Sequence, residues 1–220
     1  CICAQMRLKL IIVMPENMSI ERQKLIKIYG GKIILTQKNK GMKGSLKKVE
    51  ELKNKYKNVF IPSQFDNLIN QKTHYLYLGK EIYNQLNGNI DIFIAGIGTG
   101  GTITGASKYL KERKNIVSIG VEPLSSPLIN KGYSGKHKIQ GIGANFIPKN
   151  LDLKYVDKVE MVSNNDAFKY MKLLAKTEGI FVGISSGAVL NIGIKEALKN
   201  ENKNIVLIFP DLGERYLSIL

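Results

Sequence analysis

Residues 91–110, DIFIAGIGTGGTITGASKYL, carry an apolar run into Gly96-Ile97-Gly98-Thr99-Gly100-Gly101-Thr102, after which a helical pattern begins. Glycine lets the backbone approach a ligand closely and take up positive φ. The first amides of a helix have no partner within it, and the helix dipole favours negative charge at that end. Thr99 and Thr102 add hydroxyl donors. The chemistry such a turn supports is the cradling of a phosphate. Locally, two readings of that phosphate stay open. Gly96-x-Gly98-x-x-Gly101 fits the dinucleotide fingerprint, with Glu122 at the end of the next strand as the acid for a ribose, which would make the chain a nicotinamide or flavin enzyme, such as an NAD-dependent Rossmann oxidoreductase. A tight strand-to-helix turn without a ligand is the plain structural alternative, and the dense Gly-Thr-Gly-Gly-Thr run weighs against it.

The elements that must hold this turn alternate along the chain. Strands are expected at 8–13, 32–35, 59–61, 90–95, 117–121 and 205–209, each a short apolar run. Helices are expected at 20–29, 44–56, 73–86, from 101 to about 113, 165–178 and 186–198; those at 44–56 and 73–86 show apolar residues at three- and four-residue spacing. Ser19 is placed to cap the first of them, and Gly30-Gly31 to end it. The alternation predicts an α/β protein with parallel strands flanked by helices. A polar connection at 63–72, containing Gln64, Asp66, Asn67 and Asn70, marks a subdomain boundary near residue 70. The irregular stretch from 123 to 151 is long enough to cover a site, with a functional loop around 132–148.

Composition narrows the class. The 220 residues are 44% hydrophobic and 23% charged, with a formal net charge of +15. No apolar run approaches the roughly 18 residues a membrane span needs, and the opening segment lacks the basic flank and cleavage site of a signal peptide. Ten lysines fall between Lys27 and Lys57, but they are interleaved with Glu50, Glu51 and apolar residues on a helical pattern. They read as a solvated face, not a nucleic-acid surface, because no aromatic residues alternate with them for stacking. Cys1 and Cys3 alternate with Ile2 and would share a face in a strand. They read as buried thiols in a reducing compartment, because so close a pair rarely meets disulfide geometry. With only two histidines and no C-x-x-C pair, no metal site is expected.

Beyond these local readings, the chain resembles the cysteine synthase (O-acetylserine sulfhydrylase) family of β-type, fold type II pyridoxal-phosphate enzymes. The matching stretches are MPENMSIERQKLIKIYGG at 14–31, GMKGSLKKVEEL at 41–52, SQFDN at 63–67, AGIGTGGTITGASKYLKE at 95–112, GVEP at 120–123, HKIQGIGANFIP at 137–148, EGIFVGISSGA at 178–188 and GERYLS at 213–218. They follow the family order and spacing across essentially the whole chain. The resemblance implies a two-subdomain fold like that of the tryptophan synthase β chain, with parallel or mixed sheets. Residues 1–70 would be the remainder of the small subdomain, and 71–220 the C-terminal part of the large, cofactor-binding one. It implies pyridoxal phosphate as cofactor, its phosphate held by Gly98, Thr99, Gly100, Gly101 and Thr102. It implies that Gln64 helps bind the substrate carboxylate and that Gly141 lies in a loop at the active-site mouth. The implied reaction is β-replacement, making cysteine from O-acetylserine and sulfide, in a cytoplasmic homodimer with neither nucleic acid nor membrane as partner.

The sequence departs from the family pattern in places. The lysine that anchors the cofactor, and the Thr-Ser-Gly-Asn-Thr-Gly loop, belong to a segment upstream of residue 1, and no lysine here matches that catalytic position. The fold is therefore expected to be incomplete at the N-terminus, and the isolated chain to be inactive, poorly soluble or dependent on an intact relative. The alternative is a non-catalytic phosphate- or pyridoxal-phosphate-binding remnant or partner subunit. Leu212 stands where the family has a Ser or Thr facing the pyridine nitrogen, and it cannot make that hydrogen bond. Tyr-Leu-Tyr-Leu-Gly at 75–79 replaces a common Thr-Thr pair in a region read as structural.

Overall fold

A computed structural model describes residues 1–220, which fall into two compact units. The first comprises 1–61 and 213–220, the second 62–212. The chain thus passes between units at 61–62, immediately before the polar connection and ahead of the boundary expected near residue 70, and its last eight residues belong to the first unit.

In the first unit, α1 (Ile2–Gln5) is followed by β1 (Ile11–Pro15), α2 (Ile20–Ile28), β2 (Lys32–Thr36), a 3-10 turn and α3 (Gly41–Lys55). β1 and β2 pair in parallel, Ile11 opposite Lys32 through Pro15 opposite Thr36. A parallel pair needs a crossover, and α2 is that crossover. Ser19 occupies the N-cap position of α2, although its side chain makes no capping bond. The GERYLS motif forms a 3-10 segment, Gly213–Ile219, held on α2: Ser218 donates its amide and hydroxyl to Glu21 at 2.7 and 2.8 Å, and Arg22 donates to the Tyr216 hydroxyl at 3.2 Å. Cys1 and Cys3 correct an expectation. They flank Ile2 at a short helix, not in a strand, and Cys1 is exposed and Cys3 half-buried.

The second unit begins with α4 (Ile69–Thr73), which continues through a π-helical segment, His74–Gly79, into α5 (Lys80–Gln85). Then come β3 (Ile92–Gly96), α6 (Gly101–Lys111), β4 (Val117–Pro123), α7 (Leu128–Lys131), β5 (Lys158–Val162), α8 (Asn164–Glu178), α9 (Ile184–Lys199) and β6 (Ile205–Leu207). The sheet runs β5-β4-β3-β6, every pair parallel. Successive strand residues face opposite sides. Phe93 and Ala95 of β3 therefore join Ile103, Ala106 and Leu110 of α6 in one core, while α9 packs on the same strand. A central parallel strand covered on both faces reads as an unbroken apolar run, which is why IFIAG contains no polar residue. Each fully buried Ile or Phe on it contributes about 1.5–3 kcal/mol relative to exposure.

Several elements differ from expectation, among them α7, a short helix inside the stretch read as irregular. Residues 59–61 form no strand; Val59 and Phe60 are exposed, and an apolar run without a neighbouring ladder remains extended chain. β5 was not expected, although Lys158-Val-Glu-Met-Val162 alternates polar and apolar as an edge strand should. The helix expected at 73–86 starts four residues earlier and carries a π turn at its centre.

Candidate functional site

β3 ends at Gly96 and α6 begins at Gly101, so the glycine–threonine run is the turn from the central strand into a helix. Gly100 is the N-cap of α6, at φ +83°, in the left-handed region. A Cβ there would also meet the Leu151 backbone at 2.7 Å, so the position requires glycine on both counts. No side chain caps α6, and its first internal bond runs from the Thr104 amide to the Gly100 carbonyl at 3.0 Å. Of the amides before it, that of Gly101 donates to Thr99 Oγ1 at 3.3 Å, and those of Thr102 and Ile103 are left for a ligand, at the positive end of the helix. The donor set is backbone N–H and two hydroxyls, with no acidic residue anywhere from 96 to 107.

Other segments converge on this turn. A Cβ on Gly98 would run into the Gly141 carbonyl oxygen, so the 132–148 loop passes directly over the cradle. The Gly143 amide ties that loop down by donating to the Ile97 carbonyl at 3.0 Å. On its other side, the Cβ position of Gly141 lies 3.5 Å from Ser185 Oγ, in the first turn of α9, a second helix without a side-chain cap. Gly141 thus sits between the starts of two helices.

Gln64 reaches the site through its backbone. Its side chain is exposed, while its carbonyl accepts from Asn70 Nδ2 at 2.8 Å and Asn150 Nδ2 at 2.9 Å. Asn70 Nδ2 also donates to Thr99 Oγ1 at 3.1 Å, so the Gln64 segment is fastened to the cradle. His74, one turn along from Asn70, places Nε2 3.2 Å from Thr102 Oγ1, and burial pushes its pKa below the ordinary 6.5. Leu212 makes an antiparallel bridge to Val182 and keeps its side chain largely exposed. Sequence reading singled out the five cradle residues, Gln64 and Gly141. It missed the roles of Asn70, His74 and Asn150, while the resemblance already puts the turn and helix start at 183–187 near the cofactor. The available signal was that Asn70 and His74 are four apart in a helical stretch and so share a face.

Glu122 answers the dinucleotide reading. It is 2% exposed; Oε2 accepts from the Ile129 amide at 2.9 Å, and Oε1 from the Asn130 amide and side chain at 3.0 and 2.7 Å. The carboxylate anchors the chain around α7 and is not presented to a ribose.

An open parallel sheet whose central strand turns through glycines and threonines into an uncapped helix defines an α/β protein that binds a phosphate-bearing ligand. Comparison with known proteins specifies which. The family pattern described as pyridoxal-phosphate dependent enzyme matches residues 1–211. Cysteine synthase B of Campylobacter jejuni is 49% identical over 218 residues, covering 99% of this chain and 73% of that protein. The structure of a hydrogen sulfide-producing enzyme from Fusobacterium nucleatum superposes with a TM-score of 0.96 at 45% identity, covering 98% of this chain and 74% of that one. An O-acetylserine dependent cystathionine β-synthase from Helicobacter pylori superposes at 0.92 with 41% identity, covering 99% and 71%. The chain belongs to the pyridoxal-phosphate dependent enzyme family, with the fold type II architecture of the cysteine synthases. The cradle fits that cofactor's phosphate: it offers donors only, at a helix start, with backbone close enough for direct contact.

Proposed function

We propose that the chain serves cysteine biosynthesis by β-replacement, in which O-acetylserine loses acetate and gains sulfide. The names of the relatives support the substrate class: a cysteine synthase, a hydrogen sulfide-producing enzyme and an O-acetylserine dependent synthase. The observation that carries the reading is the fastening of the Gln64 segment to the Gly98–Thr102 turn by one side chain, Asn70. Substrate-binding and phosphate-binding residues are thereby held in one piece.

In this reading Gly98, Thr99, Gly100, Gly101 and Thr102 hold the phosphate of pyridoxal phosphate. Backbone amides and the two threonine hydroxyls donate to it, and the α6 dipole offsets its charge. When bound, the cofactor supplies an electron sink for loss of the α-proton and of acetate. Gln64 binds the substrate carboxylate, and the Gly141 loop, held by Gly143 to Ile97, borders the entrance and limits water. None of the chain's lysines stands at the position the resemblance gives to the anchoring lysine. The 220 residues are therefore assigned the binding of phosphate and substrate, not the anchoring step. The two compact units correspond to the small and large subdomains, and the assembly is a cytoplasmic homodimer or a pairing with an intact relative.

Leu212 favours a second reading. An exposed aliphatic side chain at the position of a ring-facing hydroxyl is compatible with a non-catalytic phosphate- or pyridoxal-phosphate-binding subunit. One experiment tests both. The chain is titrated with pyridoxal phosphate, with inorganic phosphate as competitor, then reduced with borohydride and weighed intact. Binding that phosphate displaces, without a specific adduct, is expected. A single stoichiometric adduct on one lysine would overturn the assignment of anchoring to a residue outside these 220. Absence of competable binding would overturn the cradle.

A further inference from the structure

A hydroxyl oxygen has one proton to give and two lone pairs with which to accept. Thr99 Oγ1 receives two donors, Asn70 Nδ2 at 3.1 Å and its own turn's Gly101 amide at 3.3 Å. Both lone pairs are engaged, so Thr99 can act toward a ligand only as a donor. The orientation of the Asn70 amide is fixed independently. Its Nδ2 also lies 2.8 Å from the Gln64 carbonyl, which can only accept, so the nitrogen must face both partners. The two amide protons are thereby matched to two acceptors.

The packing leaves Asn70 nowhere else to go. A Cβ on Gly101 would coincide with Asn70 Oδ1 and lie 2.6 Å from its Cγ. One turn further along α6, a Cβ on Gly105 would strike the Gln71 carbonyl and approach His74 Cβ at 2.9 Å. Glycines at 101 and 105 therefore let α6 press directly on the helix that carries Asn70 and His74. His74 Nε2 meets the second cradle hydroxyl, Thr102 Oγ1, at 3.2 Å. That helix goes over into its π-helical segment at His74, and such segments are frequent at functional sites.

We propose that Asn70 is a positioning residue of the anion cradle: by filling a lone pair of Thr99 it makes that hydroxyl an obligate donor to the bound phosphate, and by holding the Gln64 carbonyl it sets the substrate segment to the same geometry. This rests on the reading that residues 98–102 bind the phosphate. Asn70 touches neither phosphate nor substrate in this scheme; it acts through Thr99 and Gln64.

The test is equilibrium titration of the full chain with inorganic phosphate and with pyridoxal phosphate, for the parent, Asn70→Ala, Asn70→Asp, Thr99→Val and the Asn70→Ala/Thr99→Val pair. Asn70→Ala should weaken phosphate binding about tenfold, the equivalent of one lost hydrogen bond. Asn70→Asp is nearly isosteric, so it keeps the packing, but its carboxylate can only accept. It would draw the Thr99 proton away from the ligand and add a negative charge, so a loss of about a hundredfold or more is expected. In the Thr99→Val background, removing Asn70 should cost almost nothing further, because the residue acts through the hydroxyl. A purely structural role would give equal losses for Ala and Asp and additive effects with Thr99→Val, and either result would overturn the proposal. A parent chain that binds neither ligand would instead bring down the cradle assignment, and the positioning role with it.

Discussion

His74 is half-buried against the cradle, and burial holds its pKa below 6.5; His137, whose Nε2 donates to the Gly143 carbonyl at 2.9 Å, is shifted down by burial in the same way. The folded state therefore binds these protons less readily than the unfolded state does, and stability rises with pH across the interval between the two pKa values. The contribution is present above about 6.5, the unfolded value, and is lost as pH falls toward the lowered folded values. Urea midpoints should drop between pH 7 and pH 5, and His74→Gln with His137→Gln should flatten the profile; a parent profile already flat over that range would contradict the burial argument. Glu122 makes a different prediction. Replacing a buried carboxylate that accepts three hydrogen bonds by an amide turns one acceptor into a donor facing donors. Glu122→Gln should cost about 1.5–3 kcal/mol of stability by chemical denaturation and leave pyridoxal-phosphate affinity within about twofold, since the residue anchors α7 and not a ligand. At this scale the sequence disclosed side chains that sit in a motif, such as Thr99 and Thr102. It did not disclose Asn70, whose acceptor on Thr99 lies 29 positions away and becomes a neighbour only when α4 packs on α6.

The β3–α6 turn was the most legible element because a buried strand, a glycine run and a helix signal follow one another without interruption, and each has its own physical cause. The other central strand was legible as a short apolar run, and the helix at 44–56 by its apolar residues at three- and four-residue spacing. β5 was missed because it alternates at the sheet edge, where apolar content is low and the ladder to β4 supplies what the pattern lacks. The π segment could not be read at all, since such single-turn insertions are rare and no residue type marks them. Gly100 ties the turn to its surroundings and makes a sharp test. Alanine there must hold a left-handed backbone, at about 1–2 kcal/mol, and place its Cβ 2.7 Å from the Leu151 backbone. Gly100→Ala should destabilise by about 2 kcal/mol or more and abolish phosphate binding. Destabilisation with unchanged phosphate affinity would mean that the turn shapes the fold without forming the ligand site.

At the scale of the molecule, the two units are unequally built. The second has a four-stranded parallel sheet whose central strands are buried on both faces, and most of the fully buried large side chains, among them Phe93, Ile94, Ile103, Leu110 and Ile119. The first has only the β1–β2 pair, with Met14, Pro15, Tyr216 and two serines as its well-buried side chains, and leaves Leu8, Leu35 and Ile28 exposed. Two strands alone are marginal in water, because little apolar area is removed from solvent per residue ordered. The sequence indicated both sheets, but not this inequality: its apolar content is similar in the two halves, and only burial distinguishes them. Local stability follows buried apolar contact. Native-state hydrogen exchange, followed as a function of low urea, should therefore find amides of β1 and β2 opening at a lower free energy than those of β3, β4 and α6. Ligand should act selectively as well. Pyridoxal phosphate bound at the α6 start stabilises the states that keep the cradle folded, by an amount set by its concentration relative to Kd. Saturating ligand should slow exchange in 92–111 while leaving 11–15 and 32–36 nearly unchanged. Equal protection of both units in the free chain, or equal slowing of both by ligand, would show that they open as one cooperative body and would remove the basis for treating the second unit as the stable platform of the site.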